Sequence, residues 1–356
     1  MDNRKYVGMD IHKSITVIAV MNAAGQIESR AQVLTKAESL CDFLRGQRGS
    51  VQVALEEGTQ SAWLYQVLKP LVERVIVFDA RTVQRRGSAQ KSDDKDAENI
   101  ARLLRLGDLQ PIYKGDPAQQ QLKELCQTYD NLVSDTTRTK NRIKALFRAR
   151  GIACAGQTVY RTDKRDEYLN QLPEEAARFR ATSLFAQLAG LQTLRKQAKQ
   201  RFVQQARQHP DFAYLTQLPG FGDVRAGQLL AIIGTPQRFR TKRQLWPYAG
   251  LSVVTHSTAD YRQSGEQIIK APKKVATRGL NRNHHPQLKQ VFKGAALSAL
   301  AYPEIRAYYD RLVEQGTRAA LARVSLARKL AAITLTLWQR REDYDAAKAF
   351  PTGTTT

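Results

Sequence analysis

Residues 6–34 read YVGMDIHKSITVIAVMNAAGQIESRAQVL, and the reading of this stretch decides the fold. Tyr6–Asp10 and Ile15–Met21 are apolar runs of strand length, and Asn22–Gln26 carries the glycine of a hairpin turn. Ile27–Leu34 then pairs as a third strand. Beyond it the periodicity alternates between 3.6 and 2. It predicts a helix near Ala37–Arg45, a strand over Val51–Glu56, a helix over Ser61–Leu71, a strand over Arg74–Phe78 and a helix from about Asp93 to Leu106. A three-stranded meander followed by alternating helices and strands predicts an α/β domain over residues 1–112.

From Leu122 the pattern becomes purely helical. Leu122, Leu125, Tyr129, Leu132, Thr136, Thr139, Ile143 and Leu146 step by three and four, which is a heptad seam. A second long helix is expected from about Glu174 to Gln208, with apolar steps at Leu184, Leu188, Leu191, Ala198 and Phe202. Residues 113–210 therefore read as a coiled coil or helical hairpin. The expected partner for the seam is a helix of a second subunit, and an intramolecular hairpin is the alternative. Residues 211–345 read as a mostly α-helical domain, and 346–356 as a tail.

Lys and Arg outnumber Asp and Glu by 56 to 33, a net charge of +23. Such an excess repels itself in a compact chain unless a polyanion neutralises it, and nucleic acid rewards clustered cations by counterion release. Cys41, Cys126 and Cys154 have neither zinc-site nor disulfide spacing, and read as small buried hydrophobes in a reducing compartment. The first ten residues, MDNRKYVGMD, form no apolar leader, and no run of eighteen apolar residues occurs. A cytoplasmic protein with no membrane partner is expected.

The N-terminal element order is that of the RNase H fold, where phosphodiester chemistry needs a divalent ion held by carboxylates from strand ends and a late helix. Asp10 ends the first strand and Glu56 ends VQVALE. Asp93 and Asp96 lie three apart in KSDDKDAENIARLL, on one side of a helical turn. Taken singly, each has a bland reading as a turn cap, a strand-end charge or a helix N-terminal acid. Taken jointly, they predict one site for Mg²⁺ or Mn²⁺. Glu57 and Asp94 are neighbouring rivals, but each points about 180° (strand) or 100° (helix) away from the chosen acid.

Two further features belong to the C-terminal part. Leu218-Pro219-Gly220-Phe221-Gly222 between apolar helices is a helix-hairpin-helix signature, whose Gly220 and Gly222 expose backbone N–H groups to a phosphate. A plain glycine-rich turn is the competing reading. Residues 238–282 carry Arg238, Arg240, Lys242, Arg243, Arg262, Lys270, Lys273, Lys274, Arg278 and Arg282 against only Asp260 and Glu266. Among these cations lie Ser257 and Thr258, hydroxyls suited to attack on phosphorus, although such residues are common on polar loops.

GMDIHK, ALEEGTQSAWLY, KSDDKDAENIARLLRLG, LPGFG and RFRTKRQLWPYAGLSVVTHSTADY follow one another in order. Together they resemble the insertion-sequence transposases with a DEDD motif, the bridge-RNA-guided recombinases of the one-ten insertion-sequence family, over about residues 5–340. The resemblance implies that the four acids fall on Asp10, Glu56, Asp93 and Asp96. It also implies a Holliday-junction-resolvase-like N-terminal domain, a coiled-coil linker and a helical transposase domain. A serine that becomes joined to DNA is implied as well, and it falls on Thr258, with Ser257 just before it. This departs from the family pattern. Ser257 is preferred as the less hindered primary hydroxyl, with Thr258 and Ser264 as alternatives. DNA, a structured guide RNA, and a dimer or tetramer whose acid and serine sites combine across subunits are the implied partners. A water-using resolvase-like nuclease is the competing enzyme, and a structural nucleic-acid-binding protein the non-enzymatic alternative.

Overall fold

A computed structural model describes residues 3–80, 93–112, 115–257, 261–264, 267–270 and 275–351. Side chains at 93, 254–257, 261–264, 268, 270 and 275–278 lie outside that description. The chain divides into two compact units, Met1–Lys114 and Gly115–Thr356.

In the first unit β1 (Arg4–Ile11), β2 (Ile15–Asn22) and β3 (Ile27–Leu34) form the antiparallel meander. Gly25 adopts φ +88° in the turn between β2 and β3, and the Asn22 side-chain oxygen accepts the Gln26 N–H at 3.0 Å. Then follow α1 (Ala37–Arg45), β4 (Ser50–Glu56), α2 (Ser61–Leu68), β5 (Arg74–Phe78) and α3 (Asp93–Leu106). The sheet order is β3-β2-β1-β4-β5, with β4 parallel to β1 and β5 parallel to β4. Alternation along the strands sorts their side chains between two cores. Val7, Met9, Ile18, Val20, Val53 and Leu55 pack on Leu40, Leu44, Leu64 and Leu68 from α1 and α2. On the opposite face, Val17 and Ala19 meet Ala97, while Ala54, Ile76 and Phe78 meet Ile100 and Leu104 of α3.

The second unit begins with α4 (Pro117–Arg148), followed by α5 (Arg165–Asn170) and α6 (Glu175–Arg207). Ile143, Leu146 and Phe147 of α4 pack against Ala177, Ala181, Phe185 and Leu188 of α6. At the other end Leu122 and Cys126 share a core with Phe202, Val203 and Ala206, so the two helices run antiparallel. This corrects the expected intersubunit seam: the partner helix belongs to the same chain. The apolar steps of α6 supply the covering stripe, and Thr136 and Thr139 are buried within it. Thr136 satisfies its hydroxyl on the Leu132 carbonyl at 2.6 Å, so it needs no partner across the seam.

Next come α7 (Phe212–Thr216), α8 (Asp223–Ile233) and α9 (Lys242–Tyr248). Four short strands follow: β6 (Val253–Ser257), β7 (Tyr261–Ser264), β8 (Gln267–Lys270) and β9 (Val275–Leu280). The unit ends with α10 (Pro286–Ala299), α11 (Pro303–Glu314), α12 (Ala319–Arg340) and α13 (Ala346–Ala349). Phe221, Leu229, Leu230, Phe292, Leu330 and Trp338 form the centre of a core that also contains Leu122 and Cys126. Buried Gln119 anchors the start of α4 there by donating to the Leu230 and Ala231 carbonyls at 2.6 and 3.0 Å. No helix among the described residues is long and apolar enough to cross a membrane.

Candidate active site

Asp10 is the next-to-last residue of β1, and Glu56 is the last of β4. The parallel register pairs Gly8 with Ala54 and Met9 with Leu55, so one further step sets Asp10 beside Glu56. Neighbouring strands are about 4.8 Å apart, and in-register residues share a face. That face is the one α3 covers. Two residues back on β4, Ala54 packs with Ile100 and Leu104; two residues back on β1, Gly8 touches α3 directly.

The direction of α3 brings its first turn to the same end of the sheet. Near its C-terminus, Arg105 donates to the Ala23 carbonyl at 3.4 Å, in the turn after β2. That turn adjoins the start of β1, where Lys5 pairs with Asn22. The helix therefore runs back along β1, and its N-terminus lies toward the ends that carry Asp10 and Glu56. Asp93 stands one turn before Ala97, which overlies Gly8, and Asp96 stands one turn before Ile100, which packs beside β4. Asp94 is one turn before Glu98, whose carboxylate takes Arg30 of β3 at 2.6 Å, so it belongs to the opposite flank. Glu57 follows Glu56 on the alternate face, with its N–H donating to the Phe78 carbonyl at 2.8 Å.

The sequence reading missed His12. Its Nε2 lies 3.3 Å from an Asp10 carboxylate oxygen. The signal was available, because residues two apart at a strand end share a face. The donor set suits a hard divalent ion, since all four expected ligands are carboxylates. Among the described residues no three His, Cys, Asp or Glu side chains already stand within reach of one ion. The backbone brings Asp10, Glu56 and Asp96 to one end of one face, and the Asp93 side chain lies outside the description.

The approach of α3 to β1 is tight enough to test. A Cβ built on Gly8 would lie 2.1 Å from the Ala97 carbonyl oxygen and 2.5 Å from the Ala101 nitrogen. Gly8→Ala is therefore expected to lift α3 and cost about 1–3 kcal/mol, the range for overpacking. Gly58→Ala, with nothing within 4 Å of its added carbon, serves as the control. Denaturant midpoints check both, and equal midpoints would contradict the close packing.

The second cluster of expected site residues lies on strands that the sequence reading did not foresee. β6 pairs with β9 and β7 with β8, in nested antiparallel registers: Ser257 faces Val275, and Tyr261 faces Lys270. Ser257 ends β6, and Ser264 ends β7 opposite Gln267. Arg262 and Lys270 stand on the paired strands β7 and β8, and Arg278 on β9 of the β6-β9 pair, while Thr258, Lys273 and Lys274 lie outside the described residues. Arg240, Lys242, Arg243 and Arg282 are exposed. Arg238 differs from them. It donates to the Ile232 and Ile233 carbonyls at 2.8 and 2.9 Å and lies over the Tyr248 ring, which closes the end of α8. At the start of α10, His285 caps the helix by accepting the Leu288 N–H. Burial, followed by the nearby charges of Arg238, Lys123 and His284, holds its pKa below the usual imidazole range.

The glycines of the LPGFG turn divide in role. Gly220 has φ +79°, and a Cβ there would fall 2.2 Å from the Ala295 carbonyl oxygen, so this residue lets the turn touch α10. Gly222 precedes the first turn of α8, is exposed, and has nothing within 4 Å of where a Cβ would stand. The cysteines Cys41, Cys126 and Cys154 are free. Burial, reinforced by Asp130, pushes the Cys126 thiol far up, which removes it from nucleophilic chemistry.

Comparison with known proteins gives two family matches. Residues 7–149 match the DEDD IS110 family model, described as a transposase, and residues 213–310 match one described as a transposase of the IS116/IS110/IS902 family. Among individual relatives, the y4qE transposase candidate of Sinorhizobium fredii is 23% identical over 264 residues, covering 72% of this chain and 65% of that protein. The transposase for insertion sequence element IS1533 of Leptospira borgpetersenii is 24% identical over 48% of this chain and 51% of its own length. An insertion element IS110 protein of Streptomyces coelicolor is 36% identical over 122 residues, 34% of this chain and 27% of that protein. The chain thus spans less than two thirds of the length of each of these relatives.

Proposed function

We propose that this chain, which belongs to the IS110 family of DEDD transposases, is a DNA recombinase that excises and inserts a mobile element by metal-dependent strand transfer. The observation that carries this reading is the meeting of three elements at one end of one sheet face: the ends of β1 and β4 and the first turn of α3, bearing Asp10, Glu56, Asp93 and Asp96. The strand order β3-β2-β1-β4-β5, with its antiparallel meander and parallel additions, supports an RNase H-like domain of the Holliday-junction-resolvase kind.

In this reading Asp10, Glu56, Asp93 and Asp96 hold Mg²⁺ or Mn²⁺. The ion would supply charge stabilisation at the scissile phosphate. His12 steadies the Asp10 carboxylate. The attacking group is a hydroxyl of this C-terminal segment, Ser257 by preference, with Thr258 and Ser264 as alternatives. Its oxygen bonds to phosphorus as the bond to the deoxyribose oxygen breaks, the hydroxyl proton leaves, and the departing oxygen takes up a proton. The phosphoester link to the protein conserves bond energy, so a second strand can be rejoined by reversal. The two-stranded pair β7-β8, carrying Arg262 and Lys270, suits approach to phosphates, since a DNA major groove admits such a ribbon. Gly222 at the exposed start of α8 supports a helix-hairpin-helix contact, whereas the packing of Gly220 on α10 suits a structural part.

A structured RNA that matches donor and target DNA, a homo-oligomer that completes the site, and a cytoplasmic location belong to the same proposal. Their support is the family resemblance and the net charge of +23. The test is whether protein becomes covalently joined to DNA in the presence of Mg²⁺. Adducts and rejoined strands are expected, and clean hydrolysis without an adduct would favour a resolvase-like nuclease.

A further inference from the structure

The connection from β1 to β2 consists of His12, Lys13 and Ser14, and it carries the imidazole that meets Asp10. The His12 N–H closes this turn by donating to the Ile15 carbonyl at 3.0 Å. Thr35, the residue just past β3, holds the turn from outside. Its N–H donates to the Ser14 carbonyl at 2.9 Å, and its hydroxyl donates to the His12 carbonyl at 3.0 Å. Both donors of one residue thus go to the two ends of the turn. Thr35 is itself fixed, because the Lys36 N–H returns across it to the Leu34 carbonyl at 2.7 Å in a three-residue turn.

A hydroxyl has one proton to donate and two lone pairs that accept. Thr35 gives its proton to the His12 carbonyl, so in the 2.9 Å contact between the Thr35 and Thr16 hydroxyls the donor is Thr16. Thr16 lies in β2 and is 0% exposed, where a hydroxyl without a partner is costly. The bonds therefore run one way, from Thr16 to Thr35 to the backbone of His12. Alternation shows how they can act on the site. Thr16 shares a face with Ile18 and Val20, which pack with α1 and α2, whereas Asp10 shares a face with Gly8 beneath α3. The two threonines stand behind the sheet from the acids and reach them only through the backbone of the turn.

We propose that Thr35, backed by Thr16, is a positioning residue of the carboxylate site: it fixes the turn so that His12 stays on the Asp10 carboxylate. The inference rests on the metal-holding role proposed for Asp10, and it adds what sets the orientation of that acid. Removing a group that holds a metal-binding side chain from outside typically costs about 10–100-fold in metal affinity.

The experiment uses the full chain with Mn²⁺ alone, read by electron paramagnetic resonance, and a denaturant midpoint for every variant. Thr35→Val removes the hydroxyl and keeps the shape. It should weaken Mn²⁺ binding about tenfold, and Thr35→Ser, which keeps the hydroxyl, should restore it. His12→Ala should weaken binding as well. Adding Thr35→Val to His12→Ala should then change affinity by no more than about twofold, the precision to which such cycles are read. Losses that multiply in the double variant would mean that Thr35 supports the fold rather than His12, and would overturn the inference. Unchanged affinity in Thr35→Val, or no rescue by serine, would overturn it too. Should Thr35→Val not fold, Thr16→Val carries the test: weaker Mn²⁺ binding is expected, and unchanged binding contradicts the proposal. The carboxylate reading fails separately, since Mn²⁺ affinity kept in Asp10→Asn would remove the site itself and the positioning role with it.

Discussion

Asp10→Asn is expected to abolish strand exchange, by about 10³-fold or more, while leaving nucleic-acid affinity near that of the unmodified chain. The substitution keeps the shape of the side chain at a strand position whose side chain is 20% exposed, so β1 and its pairing with β4 should survive. What is lost is one negative charge from the carboxylate group that would hold the ion. A bound ion supplies several kcal/mol of charge stabilisation to phosphoryl chemistry, and about 1.4 kcal/mol is tenfold in rate. Affinity should not fall, because without metal these acids repel phosphate. Product formation with Mg²⁺ and a gel-shift titration are the paired measurements. Exchange retained within tenfold would remove Asp10 from the active site.

Removing both hydroxyls of the dipeptide Ser257-Thr258 should eliminate covalent protein–DNA adducts altogether. The grounds are the family alignment to this dipeptide and the cations of the same stretch of sequence, Arg262, Lys270 and Arg278 among them. Ser257→Ala, Thr258→Ala and the double variant are compared with Mg²⁺, so that rescue of one hydroxyl by its neighbour can be told from loss of a single nucleophile. Loss in one single variant identifies the nucleophile, with Ser257→Ala the expected one. Loss only in the double variant means that the two interchange. Full adduct formation in the double variant would shift the assignment to Ser264, at the end of β7. Alanine at Ser257 keeps the backbone register with Val275, so a loss would reflect chemistry rather than a broken ladder.

The α/β sheet was readable from its alternation, and the same period of two puts Asp10 on the face of Gly8 and Glu56 on that of Ala54. The packing partner of the heptad seam was not. Periodicity reveals that Leu122, Ile143 and Leu146 need covering, but carries no label for the helix that covers them, and α6 of the same chain does so. The strands β6 to β9 escaped for a different reason. They are only four to six residues long and mix β-branched residues with cations, as in VVTHS and VATRGL. Yet Gly265-Glu266 between YRQS and QIIK has the Gly-X chemistry of a two-residue hairpin turn. Gly8 offered another unused signal, since a glycine inside a strand often marks close approach of another backbone. Arg238 shows the limit of reading charge alone: a cation in a basic stretch can be spent on the carbonyls that end a helix.

The most direct test of the central claim is Mn²⁺ titration followed by electron paramagnetic resonance on the unmodified chain and six single variants. The register of β1 with β4 and the direction of α3 divide the neighbouring acids into two groups. Asp10→Asn, Glu56→Gln, Asp93→Asn and Asp96→Asn should each abolish the tight Mn²⁺ signal or weaken it by tenfold or more, on the order of one lost carboxylate ligand. Glu57→Gln and Asp94→Asn, on the alternate face of the strand and the opposite flank of the helix, should leave it unchanged. Loss of the signal in Glu57→Gln or Asp94→Asn, with full binding kept in Glu56→Gln or Asp96→Asn, would contradict the assignment.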